Sequence, residues 1–220
     1  MRTDEQIKKD VVDQIYWDGR VDASKVNVEV KDGRVTLIGK VPNYSAFHAA
    51  EDDAWAIPKV IAVDNLMEVE YKGEVSIPSD EEIKSNIENM LMWNSYINEA
   101  SIDVSVQDGI VKLEGSVESL WKKIRAEEIA YDMRGVIEVI NELAVVPTKD
   151  IVDQVIAEDI VEAIERNAFV RADSVDVEVE NGKVTLSGEV ADWTAYRVAV
   201  DIARNTTGVT EINNNLLITG

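Results

Sequence analysis

Apolar and polar residues alternate over short stretches of this chain, and the same alternation returns three times. Around Asp32-Gly33, a side-chain period of two puts Val26, Val28, Val30, Val35 and Leu37 on one face. Asn27, Glu29 and Thr36 fall on the other. Asp-Gly between two such runs predicts a β-hairpin, because a type I′ turn needs positive φ at both central residues. A two-residue loop then pairs Lys31 with Arg34, Val30 with Val35, Val28 with Leu37 and Val26 with Gly39. Asp108-Gly109 repeats the arrangement with Ile102, Val104, Val106, Val111 and Leu113, and Asn181-Gly182 repeats it with Val175, Val177, Val179, Val184 and Leu186. The turn glycines Gly33, Gly109 and Gly182 lie at offsets of 76 and 73 residues, so the chain is read as repeats. The hairpins close on Gly39, Gly115 and Gly188. These fall on the apolar face, where a missing side chain lets another backbone approach.

The same offsets organise what flanks each hairpin. Upstream, Ile7, Val11 and Ile15 recur at helical spacing, and Val12 and Tyr16 are expected to widen the stripe. The offsets carry the first three onto Ile83, Ile87 and Leu91, then onto Ile156, Ile160 and Ile164. Thr3 with Gln6 and Ser79 with Glu82 predict capping boxes, while Asp153 is the expected cap of the third copy. A polar connection with one apolar residue (Val21, Ile97 or Val170) leads into the first strand. Downstream, Asn43, Ser119 and Asp192 are N-cap residues for a second helix. That helix carries small residues at Ala50, Ala126 and Ala199, then at Ala54, Ala130 and Ala203, which let it lie close to the sheet. A last strand follows, with Val60, Val63, Asn65, Met67 and Val69 matching Val136, Val139, Asn141, Leu143 and Val145. In the third copy these are Val209, Ile212, Asn214, Leu216 and Ile218.

Each copy is therefore helix–strand–strand–helix–strand. The expected fold class is α+β: three tandem αββαβ units, each a three-stranded sheet covered on one face by two helices. The units are placed at 1–72, 78–147 and 150–220, with linkers at 70–79 and 146–152. The pattern leaves open which strand is central. A unit of this size buries only about 60% of its unfolded surface, so the units are expected to pack on one another.

Composition narrows the function. No cysteine is present, which excludes disulfides, thiolate catalysis and cysteine-held zinc. His48 is the single histidine, so no metal cluster of several histidines can form, and no catalytic triad is expected around it. No phosphate-binding glycine loop or nucleophile elbow occurs. The reading is of a non-enzymatic protein without catalytic residues, cofactor or metal. A net charge of −21 argues against nucleic acid as a partner, and no apolar run reaches the ~18 residues of a membrane span. Residues 1–72 carry net −4, and 80–145 and 146–220 carry −8 each, so contact with an acidic surface is expected of the first unit. Glu51-Asp52-Asp53 reads as a solvated helix face. A monomer or weak oligomer is expected. With no apolar leader at its start the chain is expected in the cytoplasm, or in the periplasm if a leader has been removed.

The aromatics fall off the core stripes. Trp17 and Trp93 share a repeat position at the end of the first helix, with Arg166 in the third copy. Trp55 and Tyr131 share one on the second helix, with Arg204 in the third, while Trp193 shares its position with Tyr44 and Leu120. Trp121 belongs to the second copy alone. Trp17, Trp55, Trp93, Trp121 and Tyr131 are candidates for contact with lipid or a partner, or for filling the junctions between units.

The ordered set of an alternating strand, Asp-Gly-x-Val-x-Leu-x-Gly, a helix with spaced alanines and Gly-Val-x-x-Val-x-Asn-x-Leu resembles the BON domain family, in all three copies. The late motif reads Gly135-Val136-Ile137-Glu138-Val139-Ile140-Asn141-Glu142-Leu143 in the second copy and Gly208-Val209-Thr210-Glu211-Ile212-Asn213-Asn214-Asn215-Leu216 in the third. In the first, Lys59 replaces the glycine and Met67 the leucine, so that unit is expected to end its second helix differently, through Pro58. The resemblance implies the αββαβ fold and a non-enzymatic binding module. It also implies association with phospholipid surfaces or another protein, an osmotic-stress or envelope setting, and, as an alternative, a soluble interaction or potassium-binding role.

Overall fold

A computed structural model describes residues 2–70, 77–97, 101–149 and 151–219. The first unit comprises α1 (Asp4–Trp17), β1 (Val26–Lys31), β2 (Arg34–Val41), α2 (Tyr44–Trp55) and β3 (Ala62–Val69). The second comprises α3 (Asp80–Trp93), β4 (Ile102–Gln107), β5 (Ile110–Val117), α4 (Leu120–Tyr131), β6 (Glu138–Asn141) and β7 (Ala144–Val145). The third comprises α5 (Asp153–Glu165), β8 (Val175–Glu180), β9 (Lys183–Val190), α6 (Trp193–Asn205) and β10 (Glu211–Ile218). Most of the expected 70–79 linker lies outside the described residues.

The hairpin register is the one that alternation dictates: Lys31 pairs with Arg34, Val30 with Val35, Val28 with Leu37 and Val26 with Gly39. The second and third hairpins repeat it. Asp32 and Gly33 both take positive φ, at 51° and 78°, as a type I′ turn requires. The strand left undetermined by pattern is settled by pairing. The second hairpin strand is central in each sheet, antiparallel to the first and parallel to the last. In the second unit that last strand is split into β6 and β7, both parallel to β5.

Two helices pack over the apolar face of each sheet, giving one core per unit. In the first it joins Ile7, Val11 and Ile15 to Val28, Val35 and Leu37 and to the α2 alanines. Single rows of branched aliphatic residues suffice for α1 (Ile7, Val11, Ile15) and α3 (Ile83, Ile87, Leu91). Val12 and Tyr16, expected to widen the stripe, are instead 39% and 70% exposed, because α1 meets the sheet and α2 along one narrow line. The close approach that Gly39 permits is to its own neighbour strand. A Cβ there would collide with the Lys25 carbonyl just before β1, and Gly115 and Gly188 have the same relation to Ser101 and Ser174.

The helix starts follow the sequence at five places and depart from it at one. Thr3 and Ser79 form complete capping boxes. Asn43 and Asp192 accept from the Ala46 and Ala195 amides at 2.8 and 2.9 Å. Ser119 occupies the N-cap position of α4 but makes no side-chain cap bond. The cap position of α5 is Val152, which also caps nothing with its side chain, so Asp153 is the first helical residue and not the cap.

Asp153 has another task, shared with Asp4 and Asp80. Its two carboxylate oxygens accept from the Asn181 and Gly182 amides of the hairpin turn at 2.7 and 2.9 Å. Asp80 holds the Asp108 and Gly109 amides at 2.7 and 3.0 Å. Asp4 holds those of Asp32 and Gly33 at 2.9 and 3.2 Å. Each carboxylate also sits in the first turn of its helix, where negative charge is favoured. Hydrogen bonds to a charged acceptor contribute more than neutral ones. Asp80→Ala is therefore expected to cost about 1.5–3 kcal/mol and to accelerate amide exchange at Asp108 and Gly109 before the rest of the second unit. Uniform exchange across that unit would contradict the clamp.

Candidate interaction site

Two of the three repeat asparagines, Asn65 and Asn141, are fasteners between strand and helix. The Asn65 side-chain amide donates to the Phe47 carbonyl at 3.1 Å and to Glu51 at 3.3 Å, while its oxygen accepts from the Met67 amide at 3.3 Å. Asn141 does the same with Lys123, Glu127 and Leu143 at 3.0, 3.0 and 3.2 Å. Asn214 accepts from the Leu216 amide at 3.1 Å, and Val200 stands where the other units have glutamate. These contacts turn the polar groups of the asparagine inward onto its own unit, leaving a structural role.

Lys59 does not change the end of its helix, as its departure from the glycine pattern had suggested. It takes φ of 75° and so reproduces the left-handed conformation of Gly135 and Gly208, both at 95°. A left-handed non-glycine residue costs roughly 1–2 kcal/mol. Lys59→Gly is expected to recover about 1 kcal/mol of that, after the added chain entropy, in denaturant unfolding of the first unit.

The acidic run on α2 is not wholly solvated. Asp53 is only 7% exposed and packs at the α1–α2 contact, at the position that Ile129 and Ile202 hold in the other units. Gln14 on α1 donates to one carboxylate oxygen at 3.1 Å, while the other oxygen is buried without a partner. Burial raises the Asp53 pKa above the ordinary carboxylate range, Gln14 opposes this, and the nearby Asp18, Arg20 and Asp52 add smaller effects. With the folded value raised, the stabilising protonated form is fully present below the unfolded value of about 3.9. Stability is then lost as pH rises through the folded value. Asp53→Ile should therefore gain about 1–2 kcal/mol near neutral pH, with the gain shrinking toward pH 4. A pH-independent gain would show that the carboxyl titrates normally.

The candidate aromatics divide into two groups. Trp17 and Trp93 are each 80% exposed at the ends of α1 and α3. Exposed Tyr16 lies edge-on to Trp17 at 5.7 Å, and Met90, Met92 and Tyr96 are exposed near Trp93. Trp121 is half-buried, with Tyr96 edge-on at 6.0 Å and the Lys122 ammonium 5.9 Å from its ring centre. Phe169, 67% exposed, occupies in the third unit the repeat position of Tyr96.

The second group lies between units. Tyr131 contacts Tyr44 at 4.4 Å and His48 at 5.7 Å. Trp55 stacks on Trp193 at 4.0 Å with ring planes 6° apart. Beside that stack, a cleft of about 340 Å³ is lined by Pro58 and Lys59 from the first unit and by Asp192 and Thr194 from the third. The sequence marks Trp55, Tyr131 and Trp193 by their repeat positions but carries no direct sign of their pairing, nor of Tyr44 and His48 as contacts. The available signal was that Tyr44, Leu120 and Trp193 are all bulky at one otherwise solvent-facing repeat position. Among the described residues no cluster of three or more His, Cys, Asp or Glu could hold a metal ion. No helix there is long and apolar enough to cross a membrane.

Three αββαβ units with inward-turned polar motifs and outward aromatics define a tandem-domain scaffold whose distinctive surface is aromatic. The BON domain matches at residues 3–71, 79–147 and 152–220, and the chain belongs to the BON domain family. It is 30% identical over 142 residues to the 21 kDa hemolysin of Actinobacillus pleuropneumoniae, covering 63% of this chain and 72% of that protein. It is 29% identical over 118 residues to an uncharacterized protein in the gshII 5′ region of Anaplasma centrale, covering 51% of this chain and 78% of that one. Among solved structures it is similar to CdsD, a structural protein of the type III secretion system of Chlamydia trachomatis. There the identity is 16% and the TM-score 0.27, over 96% of this chain and 90% of that one.

Proposed function

We propose that this BON-domain protein is a non-enzymatic module that attaches to phospholipid surfaces, in an envelope or osmotic-stress setting, through the ends of its first helices. The observation that carries this reading is the exposure of Trp17 and Trp93, 80% each, at one repeat position in two units. Large aromatic side chains left that open cost hydration free energy unless something covers them. Indole, with its apolar body and polar N–H, suits the boundary between headgroup and acyl chain. Methionines flank Trp93, and Met side chains adapt to irregular apolar surroundings. A relative named as a hemolysin supports a membrane as the shared contact.

The net charge of −21 shapes the binding expected. Anionic vesicles repel an acidic chain, so attachment driven by aromatic insertion should be stronger on zwitterionic vesicles and insensitive to salt there. The test is cosedimentation with zwitterionic and with anionic vesicles at low and moderate salt, alongside tryptophan emission. The expected results are zwitterionic binding, a blue shift, and roughly tenfold weaker partitioning or more for the Trp17→Ser/Trp93→Ser double variant. No binding to either vesicle would overturn the proposal and direct attention to a soluble partner for the same aromatics.

A further inference from the structure

The junctions between units repeat in their own right. The offsets of 76 and 73 carry Tyr44 onto Leu120 and Trp193, and Trp55 onto Tyr131 and Arg204. Tyr44, the first residue of α2, meets Tyr131, the last residue of α4 in the second unit, at 4.4 Å. Leu120, the first residue of α4, packs on the core of the third unit, and α4 lies against α6. Trp193, the first residue of α6, stacks on Trp55, the last residue of α2, back in the first unit.

A second contact agrees. The Tyr44 hydroxyl donates to the Ile137 carbonyl at 2.5 Å, in the segment after α4 of the second unit. Trp193 is placed in the same way, facing Ile57 to Val60 after α2 of the first unit across the 340 Å³ cleft. Start-of-helix to end-of-helix contacts thus join the first unit to the second and the third to the first, and Leu120 at the start of α4, set against the third unit's core, joins the second to the third.

We propose that the chain is a closed ring of three units related by a quasi-threefold axis, clasped by the Trp55–Trp193 stack. A heterologous interface whose rotation closes makes a ring with no free end, and here the subunits of that ring are domains of one chain. The junction side chains differ (Tyr with Tyr, Leu at the second junction, Trp with Trp), which distinguishes the junctions and fixes which unit meets which. With the clasp open, the start of α6 and the end of α2 become complementary free surfaces, and the partner they fit is a second copy of this chain, docked head to tail.

The test uses the full chain. Closure predicts a monomer with a radius of gyration within a few ångströms of the ~17 Å of a compact 220-residue chain. It also predicts the circular-dichroism exciton couplet of two stacked indoles. Trp193→Asp should abolish the couplet, enlarge the dilute particle and make it self-associate with concentration, while the far-ultraviolet helix and sheet signal persists. Trp55→Tyr/Trp193→Tyr, which installs the first junction's pair at the third, should remain compact and monomeric. Should Trp193→Asp fail to fold, Trp55→Cys/Trp193→Cys in this cysteine-free chain provides an independent measurement. A short bifunctional thiol reagent should join the two cysteines within one chain. An extended wild-type particle, an unaltered couplet in Trp193→Asp, or absence of the intramolecular cross-link would each overturn the ring.

Discussion

Each unit depends on one carboxylate, that of Asp4, Asp80 or Asp153, which holds both amides of the hairpin turn from the first residue of the opening helix. The turn amides point away from the strand ladder and would otherwise need solvent. The carboxylate satisfies them while its charge lies in the positive end of a helix dipole. It also fixes the helix against the hairpin tip, so the single row of Ile7, Val11 and Ile15 lands on the valines of β1 and β2. The tip is held from its other side as well: the Gly33, Gly109 and Gly182 carbonyls accept from Ile61, Ile137 and Thr210 at 3.0, 3.0 and 2.9 Å. Opening helix, hairpin and the segment before the last strand therefore converge on one corner. In the second unit that corner reaches further, because the Ile137 carbonyl next to it accepts the Tyr44 hydroxyl of the first unit.

The hairpins were legible residue by residue because a period of two and a two-residue turn leave one register, and a slip of one would expose every valine. Pattern could not name the central strand, since an edge strand covered on one face alternates as a central one does. The carboxylate clamp was hidden for a different reason. It joins residues 28 and 29 apart, and an aspartate near a helix start already has a sufficient local explanation as a cap. That explanation fails for all three, since Thr3, Ser79 and Val152 take the cap positions and each aspartate is the first helical residue. Lys59 shows how backbone context prevails over side-chain preference: neighbouring segments impose the left-handed bend, and lysine bears the cost that glycine would avoid. Asp53 reverses the same lesson, since a run of three acidic residues on a helix must turn one of them inward.

The aromatics were legible as a set but not as contacts. Their repeat positions were evident, yet positions 44 and 55 belong to opposite ends of one helix and never touch within a unit. Only the arrangement of units brings the residue at one position onto the residue at the other. The sequence contains that pairing as bulky side chains at both positions, and a contact between different units has no periodicity along the chain that would expose it.

The division of labour among these side chains connects the two proposals. Junction aromatics occupy the ends of α2, α4 and α6, whereas the exposed ones occupy the ends of the opening helices and the loops after them. Closing the ring therefore consumes none of the second group. A quasi-threefold axis places equivalent positions at one height, so Trp17 and Trp93 come to one rim, with Tyr96 and Phe169 sharing a second repeat position beside them. Single aromatic insertions are weak, but several anchors on one rigid frame act with a high effective concentration once the first is engaged. An acidic chain with little basic surface has reason to need that geometry, because it cannot rely on attraction to anionic headgroups. On this view the ring is what converts scattered exposed aromatics into one binding face.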